Sequence, residues 1–313
     1  MPLLKPLAVA PDAQFNVIAP ASFAQPERLR GGVEALRELG YSPLPTGNAL
    51  ERGPLYFAGT CEQRLTDLHA AFADPGTSAV MAVRGGYGSN YLLEGLDLAH
   101  LQKRPKPFFA YSDMTGIQLR LLDRIGLPVF HGPMLAADFY KKDGVHFESF
   151  RASLAGQPYS LGASEGLRVL KAGASQGAFR GTLYGGCLSI LVSLLGTPWE
   201  PQTEGKLLFI EDVGAKPYQI DRMLWQLRVT GKLDRVPGII FGEMLDCSSP
   251  GAAPDLLENT ILSALDGFEG PIAIGLRSGH VSRQNVTLTF GIEAELTFDD
   301  SPRLNLLEPA VTK

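Results

Sequence analysis

The sequence predicts an α/β fold: an N-terminal α/β domain built on a mostly parallel sheet, followed by a β-rich C-terminal domain. Three observations predict it. Short apolar runs alternate with segments of helical period between positions 15 and 130. The texture then changes over 150–177, which is rich in Gly, Ser, Ala and Gln. Beyond that stretch, short apolar runs recur with fewer helical segments between them. Strands that alternate with helices argue for a parallel sheet covered on both faces. Ligand sites in such sheets lie beyond the carboxyl ends of the strands.

In order, 15–19 is an apolar run ending at Pro20, and 26–39 carries apolar residues at helical spacing with Gly40 just past its end, where a helix cap belongs. Leu65, Leu68, Ala71 and Phe72 share one face of a helix over 63–72. A strand over 79–83 runs into a glycine turn, 108–111 is a third strand, 113–125 a third helix and 128–130 a fourth strand. The stretch 150–177 reads as a linker followed by a hairpin. After it come an apolar helix over 183–195 opened by Gly185-Gly186, a buried strand over 206–210 ending at Glu211, and an amphipathic helix over 218–229. Strands follow at 236–241 and 271–275. Two more, 286–290 and 294–298 around Gly291, read as a hairpin. The boundaries expected are an N-terminal domain over 1–155, a linker and start of the second domain over 156–177, and the second domain over 178–313.

The composition sets limits on function. The 313 residues suffice for one large domain or two ordinary ones, and 45% hydrophobic with 19% charged residues is ordinary for a globular protein. A net charge of −5 argues against a nucleic-acid binder. Cys61, Cys187 and Cys247 are odd in number and form no CxxC, which disfavours a zinc or redox pair and fits a reducing compartment. Three prolines before Phe15 interrupt the N-terminal apolar run, so it lacks the h-region of a signal peptide. No apolar run of membrane-spanning length occurs. The cytoplasm is the expected location.

Four segments place glycine or polar residues directly after apolar strands. In Arg84-Gly85-Gly86-Tyr87-Gly88, glycines leave backbone N–H groups uncovered, so the loop can cradle an anion or oxyanion, or simply turn tightly. In Tyr111-Ser112-Asp113, a serine sits where a strand meets a helix. Its hydroxyl can project above the sheet, with the Asp113 N–H at the helix N-terminus, as in a nucleophile elbow without the GxSxG spelling. The same placement suits an ordinary N-cap. Glu211-Asp212 ends a buried strand, as site carboxylates do and solvated loop acids also do. His280 follows a glycine in a polar loop, which suits a mobile, partly exposed general base. His131 ends a strand near this constellation and reads as structural. His69 and His100 sit in amphipathic helical contexts and read as surface residues, and His146 lies in a polar loop. Ser164 and Ser175 both spell GxSxG but lack the buried strand and long helix of a true elbow, and read as turns. Neither an HExxH motif nor a Cys/His cluster supports a metallohydrolase.

Together these pieces resemble the LD-carboxypeptidase family of serine peptidases, which includes the microcin-immunity carboxypeptidases. The matching segments run nearly the whole chain: Ile18-Ala19-Pro20-Ala21-Ser22, Phe57-Ala58-Gly59-Thr60 with Arg64 and Asp67-Leu68-His69, Arg84 to Gly88, Tyr111-Ser112-Asp113, His131-Gly132-Pro133-Met134, Gly185-Gly186, Gly196-Thr197-Pro198, Glu211-Asp212-Val213, and Gly279-His280 with Asn285. The resemblance implies a Ser112–His280–Glu211 triad, an N-terminal domain similar to class I glutamine amidotransferases, and a cleft site between it and the second domain. It also implies no metal or other cofactor, a homodimer, and a muropeptide substrate cut before a terminal D-alanine. The N–H groups of Asp113 and Gly86 would hold the oxyanion, and Arg84, Gly85 and Tyr111 would contact substrate, with Arg84 gripping the terminal carboxylate or serving as a structural ion pair. Cys187 departs from the family's usual Gly-Gly-Asn. Two other functions stay open: hydrolysis of peptidyl or aminoacyl nucleotides, which needs an aromatic such as Trp199 or Trp225 to stack on the base, and a non-catalytic module that binds phosphate or cell-wall fragments.

Overall fold

The computed structural model describes residues 2–173, 177–248, 250–298 and 301–313. Its first half runs β1 (Gln14–Ile18), α1 (Pro26–Glu38), β2 (Ser42–Pro45), α2 (Cys61–Ala73), β3 (Ala79–Ala82), α3 (Leu98–Leu101), β4 (Phe108–Ala110), α4 (Thr115–Ile125), β5 (Val129–His131) and α5 (Phe147–Ala155). The second half runs β6 (Tyr159–Leu161), β7 (Arg168–Lys171), β8 (Phe179–Cys187), α6 (Leu188–Ser193), β9 (Lys206–Glu211), α7 (Pro217–Val229), β10 (Gly238–Gly242), α8 (Leu256–Ala264), β11 (Ile272–Leu276), β12 (Leu288–Phe290), β13 (Glu293–Thr297) and β14 (Arg303–Leu306).

The local signals explain the first half. Pro26 opens α1 and Gly40, with φ +91°, turns the chain out of it. Thr60 and Gln63 close a capping box at the start of α2. All four residues of β3 are buried, as befits a central parallel strand with helices on both faces. The first sheet has the order β12-β5-β4-β3-β1-β2; β1 to β5 are mutually parallel, and β12 pairs antiparallel with β5. This is the expected mostly parallel α/β sheet.

The second sheet has the order β6-β14-β13-β8-β9-β10-β11-β7. Its centre, β8 to β11, is parallel, and the flanking strands are antiparallel. Three expectations change here. The helix expected over 183–195 is mostly strand: β8 runs through Gly185 and Gly186, and only α6 is helical. A Cβ on Gly185 would lie 1.8 Å from the Phe209 carbonyl oxygen and one on Gly186 2.6 Å from Thr115 Cγ2, so the pair admits the neighbouring strand and the start of α4 rather than opening a helix. The hairpin expected around Gly291 does not form. β12 pairs with β5 in the first sheet while β13 pairs with β8 and β14 in the second, so the chain crosses between sheets at Gly291 (φ +98°). Nor do β6 and β7 pair with each other; they form the two opposite edges of the second sheet. A glycine-rich texture marked exposed edges there and not an idle linker.

The two sheets meet through buried aromatics. Phe209 on β9 lies 6.2 Å from Phe290 on β12 and 5.2 Å from His131 on β5, ring centroid to centroid. The carboxyl ends of β3, β4 and β5 therefore face those of β9 and β11.

Candidate active site

Ser112 follows the carboxyl end of β4 with φ +65°, a left-handed conformation that a β-carbon disfavours. Such strain persists only when the surroundings over-determine it, and it clusters at functional sites. Here the surroundings are specific. Thr115 Oγ1 donates to the Ser112 carbonyl at 2.7 Å. Gly85 packs so closely that a Cβ on it would lie 2.8 Å from Ser112 Cβ and 2.9 Å from Oγ. The buried Asp113 carboxylate accepts from the Ser89 N–H at 2.8 Å, and its carbonyl accepts from Ser89 Oγ at 2.5 Å. These bonds tie the glycine loop to the serine turn. Arg64, almost wholly buried, donates to the carbonyls of Pro20 (2.8 Å) and Gly88 (2.7 Å) and braces the loop from behind. Gly86 takes φ +116°, and the Tyr87 N–H beyond it is anchored on Ser22 Oγ at 3.1 Å. Neither the Gly86 N–H nor the Asp113 N–H donates to an acceptor among the described residues.

The second sheet supplies a carboxylate and an imidazole. Glu211 ends β9 with no solvent exposure. Its Oε2 accepts from His280 Nδ1 at 2.7 Å and from the His280 backbone N–H at 3.0 Å. That bond puts the imidazole proton on Nδ1 and leaves Nε2 free to act as a base. The fit depends on Gly279 (φ +89°), where a Cβ would lie 2.6 Å from the Glu211 carboxyl carbon. Asn285, fully buried, exchanges two 3.0 Å bonds with the Gly279 backbone and fixes this turn. The Tyr111 ring meets the His280 ring edge-on at 5.1 Å. His280 is 19% exposed, partly exposed as expected of this loop histidine.

Electrostatics follow from the burial. Desolvation opposes charge on His280, but the Glu211 carboxylate and its hydrogen bond outweigh it and hold the imidazole above its ordinary pKa. Desolvation likewise pushes Glu211 up, and His280 beside it more than offsets this, so the carboxyl titrates below its usual range.

Ser112, His280, Tyr111, Gly85, Gly86 and Arg84 line one cavity of about 190 Å³. The structure thus brings together residues from distant parts of the chain. Ser112 Oγ and the imidazole are not in hydrogen-bond contact, which apo sites often show. Asp212, beside Glu211, faces away: its Oδ2 accepts from the Ser189 N–H at 2.8 Å and lies 3.8 Å from Cys187 Sγ. Cys187 is buried, as expected of a small apolar residue, and its thiol is pushed well above the ordinary range by burial. Ser164 lies exposed in a single turn remote from this cavity; Ser175 lies outside the described residues. A larger cavity of about 860 Å³, lined by Phe179, Arg228 and the 265–270 loop, contains none of these groups.

Sequence reasoning missed two cations of the same cavity, Arg28 and Lys141. The Arg28 guanidinium lies 5.1 Å and the Lys141 ammonium 6.0 Å from the centre of the Tyr140 ring. Burial first, and the Arg28 charge second, lower the pKa of Arg84. Among the described residues neither arginine forms an ion pair within 4.0 Å, while Lys141 reaches Asp138 at 3.8 Å. Nothing in the sequence marks an arginine in the first turn of α1 as a site residue.

Two family models cover the chain: the LD-carboxypeptidase N-terminal domain over residues 16–132 and the LD-carboxypeptidase C-terminal domain over 180–296. The chain belongs to the LD-carboxypeptidase family. A probable murein peptide carboxypeptidase of Bacillus subtilis is 36% identical, with 93% of this chain and 91% of that protein aligned. A muramoyltetrapeptide carboxypeptidase from Oxalobacter formigenes has a structure that superimposes with a TM-score of 0.82 at 28% identity, over 96% of this chain and 100% of that one. The microcin C7 self-immunity protein MccF superimposes with a TM-score of 0.89 at 24% identity, over 99% and 100%. Among the described residues no helix is long and apolar enough to cross a membrane.

Proposed function

We propose that this LD-carboxypeptidase uses Ser112 as nucleophile, His280 as general base and Glu211 as the carboxylate that orients it, to remove the terminal D-alanine of murein tetrapeptides. The observation that carries the reading is the 2.7 Å Glu211–His280 bond facing the same cavity as a serine held at φ +65°. His280 Nε2 takes the Ser112 proton as the hydroxyl attacks the carbonyl of the L,D-peptide bond. Glu211 stays anionic and stabilises the imidazolium. The N–H groups of Asp113 and Gly86 receive the oxyanion, each such donor contributing about 3 kcal/mol to the transition state. The imidazolium then protonates the leaving D-alanine amine, and water hydrolyses the acyl-enzyme.

Arg84 is the proposed clamp for the terminal carboxylate. Its lack of an ion-pair partner beside a second unpaired arginine supports a role in binding an anion rather than a structural pair. Three unpaired cysteines support a cytoplasmic location, the change of texture over 150–177 and the two separate sheets support a division into domains near 156–177, and the family resemblance alone supports a homodimer. The test is Ser112→Ala on a murein tetrapeptide, scored by release of D-alanine, with a fluorophosphonate as probe of the serine. We expect loss of at least about 10⁴-fold in kcat and loss of labelling. Retained turnover in a folded variant overturns the assignment, and wild-type protein that never labels favours a binding module.

One observation supports a second reading, an aminoacyl-nucleotide substrate. Tyr87, next to the glycine turn, and Tyr91 are exposed and stand 6.2 Å apart over Phe57, a surface on which a base could stack. Trp199 is instead packed against the core, and Trp225 lies exposed on α7. Competition between a tetrapeptide and an aminoacyl-adenylate analogue separates the two substrates.

A further inference from the structure

One buried residue beside the proposed triad remains unused. His131, at the end of β5, is fully buried between Phe209, Phe290 and Tyr111. Its Nε2 lies 4.0 Å from Glu211 Oε1, and each of these two buried atoms lacks a hydrogen-bond partner. An unsatisfied carboxylate oxygen in a dry site is costly, more so than an unsatisfied neutral carbonyl. On the other side of the ring, Nδ1 lies 3.1 Å from Ser278 Oγ, which in turn lies 2.9 Å from the Val286 carbonyl.

The proton count decides between two arrangements. A neutral imidazole and a hydroxyl have one proton each. If the hydroxyl donates to Val286 and Nδ1–H donates to the hydroxyl, two bare acceptors, Nε2 and Oε1, face each other. If the hydroxyl donates to Nδ1, the ring proton sits on Nε2 and points at Oε1, and only the Val286 carbonyl gives up a donor. The second arrangement leaves the smaller deficit.

We infer that His131 is a positioning residue for the acid of the triad: its Nε2–H is directed at Glu211 Oε1, which keeps Oε2 turned toward His280. The two oxygens of Glu211 are then divided between two histidines, one that moves a proton and one that does not. Burial, which outweighs the attraction of Glu211, lowers His131 to a pKa of about 4, so it stays neutral while His280 titrates. Besides Glu211, the groups that face it are Tyr111, Ser278 and His280; Asp138, which burial raises to a pKa of about 6, and Asp212, which burial also raises, act on the His280 charge too and are the same in every variant compared. The 4.0 Å gap closes by less than about 1 Å to reach a hydrogen bond.

Two amides test this. In His131→Gln the side-chain N–H can take the place of Nε2–H, whereas in His131→Asn the shorter amide can mimic only the Nδ1 side. The readout is the rate of fluorophosphonate reaction at Ser112 across pH, which does not depend on the natural substrate. We expect His131→Asn to lose about 10- to 100-fold, the usual worth of a hydrogen bond to a charged group. Its acid limb should move to higher pH, because an unshared carboxylate attracts the His280 proton more strongly. His131→Gln should stay within about threefold with its limb unmoved. Equal losses in both, or no loss and no shift in either, overturn the inference. Should the variants not fold, ¹⁵N spectra of histidine-labelled wild-type protein decide: an Nε2–H tautomer for His131 supports the role, and an Nδ1–H tautomer ends it.

Discussion

The two sheets hold their share of the site by different means. The first sheet places Ser112 through backbone geometry: a left-handed turn, a glycine at van der Waals limit against it, and a loop lashed to Asp113. The second sheet places Glu211 and His280 through burial and charge: a carboxylate without solvent exposure, two donors from one histidine and a fully buried asparagine behind the turn. Geometry is insensitive to pH and intolerant of added volume. Charge pairing responds to pH. Substitutions on the two sides should therefore fail in different ways.

After loss of the proposed nucleophile, the largest expected effect is on the charged side. Glu211→Gln keeps the shape but removes the anion that raises the His280 pKa and stabilises its imidazolium. We expect kcat/KM to fall about 10³- to 10⁴-fold. The sign of the pH effect follows from the cause. As the proposed base His280 must be neutral, so we expect wild-type activity to rise with pH through a limb above the ordinary histidine value of about 6.5. Without the carboxylate that limb should move to lower pH. A limb at or below 6.5 in the wild type, or one that stays put in Glu211→Gln, would break the comparison. On the geometric side, Gly85→Ala inserts a Cβ 2.8 Å from Ser112 Cβ. A displacement of the nucleophile of about 1 Å can cost about 10²-fold, and we expect a loss of that order with the acid limb unmoved.

The same division explains what was legible in the sequence. The alternating half could be read because each strand and helix carries its own signal, such as the capping box at Thr60 and Gln63 or the glycine past α1. Ser112 could be placed at a strand-to-helix corner, but its φ of +65° could not, since that strain is imposed by Gly85 and Ser89 from elsewhere in the chain. Gly185 and Gly186 do not open a helix because their reasons, the close passage of Phe209 and of the Thr115 side chain, are contacts with distant segments that leave no local trace. β12 was misread because alternation predicts a strand but not which sheet it joins. Arg28 and Lys141 gave no usable signal, because a shared cavity is what sets them apart; the end of its strand placed His131 near the site, but its facing pair of unsatisfied atoms leaves no trace in the sequence.

The smallest expected effect tests whether Ser112 is held under strain at all. A left-handed residue with a β-carbon costs roughly 1–2 kcal/mol relative to one without it. Ser112→Ala keeps that cost, and Ser112→Gly removes it while giving up some chain entropy in the unfolded state, a counterweight of up to about 1 kcal/mol. Both variants lack the hydroxyl, so chemistry drops out of the comparison. We expect Ser112→Gly to be the more stable of the two by up to about 1 kcal/mol in denaturant unfolding. If Ser112→Ala proves the more stable, the turn is relaxed, and the backbone of the first sheet does not hold this position under strain.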